Sequence, residues 1–107
     1  MRNQEKSISN AFLTFRDEAP QHAMAWSELV QKLGQASALD GKTAALAYLA
    51  VLAVLRLESG IPFHVQAAKQ QGASREEVIS AVLIGLPAAG HVVTQVLPAA
   101  ISAYDAS

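Results

Sequence analysis

The sequence predicts a small all-α domain of five or six helices that works as an oligomer. Three observations carry this. Apolar residues recur at helical spacing in one segment after another, and nowhere does the strict alternation of a strand appear. Apolar residues make up 51% of the chain and charged ones only 16%, a larger apolar share than a lone 107-residue domain needs for its modest core. From Val78 to Tyr104 there is no charged residue when His91 is neutral, although a solvent-facing helix normally carries charge on its outer side. The apolar excess therefore predicts faces covered by further copies of the chain. The length predicts one domain over residues 1–107, and no repeat, low-complexity tract or linker divides it.

Each element has its own signal. Ile8, Ala11, Phe12 and Phe15 fall at i, i+3, i+4 and i+7, which predicts a first helix from about Lys6 to Asp17. Pro20 suits the first turn of a second helix. Trp26, Leu29, Val30 and Leu33 give that helix its apolar face, and Gly34 is expected to end it. Asp40 is a plausible N-cap for the third. From Thr43 to about Glu58 the chain is apolar almost all round, the mark of a buried central helix. Ser59, Gly60 and Pro62 interrupt it, and a fourth helix follows with Ile61, His64, Val65 and Ala68 on one stripe and Gly72 closing it. Ser74-Arg75-Glu76-Glu77 reads as a capping box. The helix it opens is expected to pack through Val78, Val82 and Leu86 and to end at Pro87. A last helix is expected from Gly90, presenting Val93, Val96, Leu97, Ala100, Ile101 and Tyr104, with a bend at Pro98.

Composition excludes several functions. The formal net charge is −1 and the eight lysines and arginines are scattered, so no basic stripe offers itself to nucleic acid. The chain has no cysteine, which removes disulfides, thiolate metal sites and thiol nucleophiles together and fits a cytoplasmic location. The N-terminal MRNQEKSISN does not read as a signal peptide. Ala44 to Leu55 is too short to span a bilayer, and the longer run from Val78 to Tyr104 is broken by Gly85, Pro87, Gly90, His91, Gln95 and Pro98, so no membrane partner is expected.

The stretch LDGKTAALAYLAVLAVLRLESGIPFHVQAAKQQGASREEVISAV, from Leu39 to Val82, has an Asp-x-Lys-Thr turn opening an apolar helix. After a break come a histidine on a short Ala/Lys helix and then Gly-Ala-Ser-Arg-Glu-Glu before another apolar helix. With the downstream LPAAGHVVTQVLPAAISAYD, about two-thirds of the chain resembles the alkylhydroperoxidase D-like / carboxymuconolactone decarboxylase superfamily. The resemblance implies its helical fold and assembly as a trimer or hexamer. The redox branch of that family uses a Glu, a Cys-x-x-Cys pair and a His. Laying the family histidine on His64 puts the cysteine positions at Leu57 and Gly60 and the glutamate position at Ala45. Peroxide reduction needs one thiolate to attack and a second thiol to resolve the sulfenate. Leucine and glycine do neither, so this member lacks the peroxidase chemistry.

What remains is proton transfer, ligation or assembly. His64 is the first candidate, an acid/base at neutral pH or else a buried histidine bonded to backbone at the helix break. Glu58 either assists His64 or is a solvated helix end paired with Arg56. His91 shares the pocket if the Gly90 bend comes beside the first break, and His64, His91 and Glu58 together form a workable zinc ligand set, although no short ligand spacing supports one. His22 reads as surface. Trp26, Phe12, Phe15, Phe63 and Tyr48 read as core or interface, and a buried Tyr48 hydroxyl needs a partner. The expected function is a cofactor-independent enzyme of decarboxylase or lactone type acting on a small carboxylated metabolite, with His64, Glu58 and His91 as catalytic candidates, Arg56 as a possible cation in the pocket, and no cofactor or metal. The alternative is a non-catalytic oligomeric binding or scaffold protein.

Overall fold

The computed structural model describes residues 8–106, and among these there is no strand. The helices are α1 (Asn10–Glu18), α2 (Pro20–Ala36), α3 (Gly41–Leu55), α4 (Ile61–Gln70), α5 (Arg75–Leu83), α6 (Leu86–Ala89) and α7 (Leu97–Asp105). Two 3-10 segments, Glu58–Gly60 and Gly90–Val96, connect α3 to α4 and α6 to α7.

Short-range chemistry sets most of the boundaries. Ser9 Oγ accepts the Phe12 N–H at 3.1 Å and opens α1. The predicted start at Lys6 lies outside the described residues. Asp40 Oδ1 accepts the Thr43 N–H at 2.8 Å and opens α3. The Ser74 capping box forms in full, with Glu77 N–H on Ser74 Oγ at 3.1 Å and Ser74 N–H on Glu77 Oε1 at 2.9 Å. All four prolines stand at the first or second position of a helix, where a missing N–H costs nothing and the fixed φ is already helical.

This corrects two sequence expectations. Pro87 does not end the fifth helix: α5 stops at Leu83, and Pro87 sits in the first turn of α6. Pro98 does not bend a helix running from Gly90. The chain from Gly90 to Val96 is 3-10, and Pro98 belongs to the first turn of α7. The run Arg75–Asp105 has the length and hydropathy to cross a membrane, but here it is four helical pieces whose Val78, Val82, Val93, Val96 and Ala100 all enter the core. Two smaller differences concern α2 and α3. Gly34 does not end α2, which continues to Ala36, and α3 stops at Leu55.

The core is one cluster. Leu49, Leu52 and Ala53 of α3 meet Ile61, Val65 and Ala68 of α4, with α5, the second 3-10 segment and α7 closing around them. Complete burial of each large side chain contributes about 1.5–3 kcal/mol. A polar clasp ties α7 to the rest. Gln66 Nε2 and Lys69 Nζ donate to the carbonyls of Ala103 and Tyr104 at 2.7 and 2.9 Å. Tyr104 Oη donates to the Ala73 carbonyl at 2.9 Å, and Arg75 grips Asp105 through two nitrogens. A lysine at the end of α7 also complements the negative pole of the helix dipole.

Two regions depart from this economy. The outer half of α3 is apolar yet uncovered: Tyr48, Val51, Val54 and Leu55 stay 41% to 60% exposed, so the helix is not buried all round by its own chain. The α1–α2 hairpin, joined by the Phe12 and Trp26 rings at 5.4 Å, contributes no side chain to the core cluster. Its Met24, Leu29 and Leu33 are exposed.

Replacing the fully buried Ile61 by alanine is expected to cost about 2–5 kcal/mol, and Ser74→Ala about 1 kcal/mol through loss of the cap. Urea unfolding at a fixed protein concentration measures both, and equal costs would contradict this assignment of cap and core.

Candidate functional site

The site begins where α3 stops. Arg56 takes the left-handed conformation, φ 55°, the one non-glycine positive φ among the described residues. The Leu57 N–H then reaches back to the Leu52 carbonyl at 3.0 Å, a Schellman closure in the position where glycine is usual. The 3-10 turn Glu58–Gly60 reverses the chain, and α4 starts with Ile61 buried. That places His64 one turn into α4, on the stripe of Ile61, Val65 and Ala68 but at its margin, half-buried.

Its ring lies 4.5 Å from the Tyr48 ring of α3 and edge-on to Phe63 at 5.2 Å. Tyr48, expected to need a buried partner, is instead on the exposed side of α3 with its ring on the imidazole. No described protein group hydrogen-bonds the imidazole nitrogens, and no buried side-chain nitrogen or oxygen among the described residues lacks a partner. The His64 nitrogens are therefore open to solvent or to a ligand.

A cavity of about 320 Å3 reaches this imidazole. One wall is the helix break: Ser59, Gly60, Phe63 and His64. The opposite wall is the N-terminal hairpin, through Ile8, Ser9, Phe12, Trp26 and Val30. Gly60 leaves room beside the histidine, since a Cβ there would stand 3.9 Å from His64 Cδ2 in ordinary contact. Sequence patterning marks Phe12, Trp26 and Val30 only as apolar face residues. That they face His64 across a cavity is tertiary information, without a local signal.

Burial lowers the His64 pKa from its ordinary value, so the imidazole is neutral at pH 7, with one nitrogen able to accept a proton and the other to donate one.

The other candidates lie elsewhere. Glu58 is exposed and pairs with Arg56 at 3.5 Å, and neither residue lines the cavity. His91 is exposed on the second 3-10 segment, its carbonyl accepting from Thr94 Oγ1 at 2.8 Å, and it does not line the cavity either. His22 is exposed at the start of α2. Among the described residues no group of three or more His, Asp or Glu side chains gathers to hold a metal ion. Of the positions laid on the redox motif, Leu57 is exposed, Gly60 lines the cavity and Ala45 is half-buried against the core. With no cysteine anywhere in the chain, its own residues supply no thiol for peroxide reduction.

Comparison with known proteins agrees with this architecture. The sequence model of the carboxymuconolactone decarboxylase family matches residues 20–102. The fold is similar to a crystal structure of an apo carboxymuconolactone decarboxylase family protein from Legionella pneumophila, with 26% identity, 96% of this chain and 92% of that chain covered, and a TM-score of 0.79. No curated protein matches the sequence.

The lowered pKa of His64 has a stability consequence of definite sign. The unfolded chain takes up a proton at about 6.5, above the folded value. The stability held by the neutral ring is complete above that pH and is lost as pH falls through the folded pKa. The ring-proton shift of His64 in NMR is expected to titrate below 6.5, and His64→Gln is expected to flatten the acid side of the stability profile. A His64 titration at or above the ordinary value would contradict the burial argument.

Proposed function

The chain belongs to the carboxymuconolactone decarboxylase family, and we propose that within it this protein is a thiol-free, cofactor-independent proton-transfer enzyme. In this reading His64 is the acid/base and the cavity between the hairpin and the helix break holds the substrate. The observation that carries it is a neutral imidazole, free of protein hydrogen bonds, at the wall of a cavity large enough for a small metabolite. Such a group takes a proton from a carbon beside a carbonyl, or returns one to it, near neutral pH. Glu58 and His91 enter the chemistry only if a second subunit or a movement brings them to the cavity. Among the described residues a carboxylated substrate finds no cation in the cavity, and Arg56 is engaged with Glu58.

The second reading, a non-catalytic binding unit, is favoured by one observation: no carboxylate orients the imidazole as acid/base sites usually arrange. Incubating the protein in D2O with a panel of unsaturated lactones and enolisable ketones, followed by NMR, separates the two. The enzymatic reading expects deuterium incorporation or decarboxylation that His64→Gln abolishes. Turnover that survives His64→Gln removes His64 as the acid/base, and none across the panel favours the binding unit.

Self-association belongs to the same proposal. The apolar outer half of α3 and the outer stripe of α2 are surfaces that monomers rarely leave in water, and the family resemblance implies a trimer or hexamer. The absence of cysteine supports a cytoplasmic setting. Leu55→Lys changes an exposed position and leaves the core intact, so it is expected to lower the mass seen by light scattering without loss of helicity. An unchanged mass would remove that face of α3 from the interface.

A further inference from the structure

Among the described residues, the walls of the His64 cavity bear no side chain of fixed charge. Phe12 and Trp26 stand on one side and Phe63 and His64 on the other, so aromatic rings face the space from both directions. The Ser9 hydroxyl is already accepting the Phe12 N–H. The ion pair of Arg56 with Glu58 at the helix break is closed on itself in solvent. From this lining we infer that the cavity takes an uncharged, flat, largely apolar molecule of about two fused rings, bearing one hydroxyl or carbonyl group that meets the His64 imidazole.

Size sets the ring count. An apolar cavity of about 150 Å3 accommodates benzene, and this one offers about 320 Å3. Shape follows from the walls, because aromatic side chains favour stacked or edge contacts with another ring. Charge follows from desolvation. A carboxylate moved here leaves water without a cation among the described residues to meet it, and the imidazole resists becoming that cation because it is itself half-buried. An ammonium ligand likewise finds no carboxylate among the described lining residues. Polar contact comes from the histidine, which accepts from a hydroxyl or donates to a carbonyl according to its tautomer, and from the Ser59 hydroxyl on the same wall.

The inference rests on the cavity and imidazole of the proposed function, and its test is read by binding rather than turnover. Calorimetry on the full chain at pH 7.5 compares 2-naphthol, naphthalene-2-carboxylate and 2-(aminomethyl)naphthalene, three probes of one ring system with neutral, negative and positive groups. Trp26, the sole tryptophan, reports whether a ligand lies against the hairpin wall, and Trp26→Leu is expected to weaken naphthol binding several-fold. The expected result is naphthol bound at least tenfold more tightly than either ion. Equal or reversed preference overturns the inference. So does the absence of binding by all three probes to folded protein, as would follow if a side chain of a second copy filled the space. A His64→Gln variant that keeps the neutral preference still supports the ligand class, while lost turnover bears on the proton-transfer reading alone, so the two failures are told apart.

Discussion

The structure depends on α3, a helix with apolar residues on every side and only one side that its own chain covers. The inner face, Leu49, Leu52 and Ala53, organises the core. α4, α5 and the second 3-10 segment are arranged as they must be to exclude water from it. The outer face, Tyr48, Val51, Val54 and Leu55, is left over. A surface helix of an independent monomer would carry lysine or glutamate there. The same helix therefore specifies the fold inward and leaves an uncovered apolar surface outward, and the shortage of charge in the whole chain is the compositional trace of both faces.

The site is a by-product of how that helix stops. Arg56 in the left-handed region, the 3-10 turn and Pro62 in the next first turn reverse the chain within a few residues. His64 is thereby delivered to the edge of the core rather than its centre. Fully buried, it would be an inert neutral ring, and fully exposed it would be an ordinary solvated one. At the margin it is neutral and reachable together. Gly60 lines the cavity at this turn with no side chain, where a Cβ would meet Leu52 and His64 in ordinary contact.

Much of this was legible in the sequence, and the division follows the range of the interaction. Asp40, the Ser74 box and Gly72 were readable because a cap is satisfied within four residues. So was the stripe of α4, because helical spacing alone aligns Ile61, Val65 and Ala68. Pro87 and Pro98 were misread because a proline in a long apolar run looks the same whether it stops a helix or starts one, and only the turn before it decides. The 3-10 stretch Gly90–Val96 carries no signal that separates it from an α-helix of the same residues. For the site, His64 was accessible through the order of motifs, but its opposite wall was not. Phe12 and Trp26 are distant in sequence, and nothing in their spacing states what they face. Glu58 and His91 were grouped with His64 by residue type, and the folded chain leaves both outside the cavity.

The hairpin that forms that opposite wall shares no side chain with the core cluster. Few buried apolar contacts hold it to the rest of the chain, which is the condition under which local opening costs less than global unfolding. A cavity bounded by such a wall needs no dedicated gate. The imidazole is reachable as the chain stands, and any contact that presses α1 and α2 toward the helix break narrows the space that the ring faces.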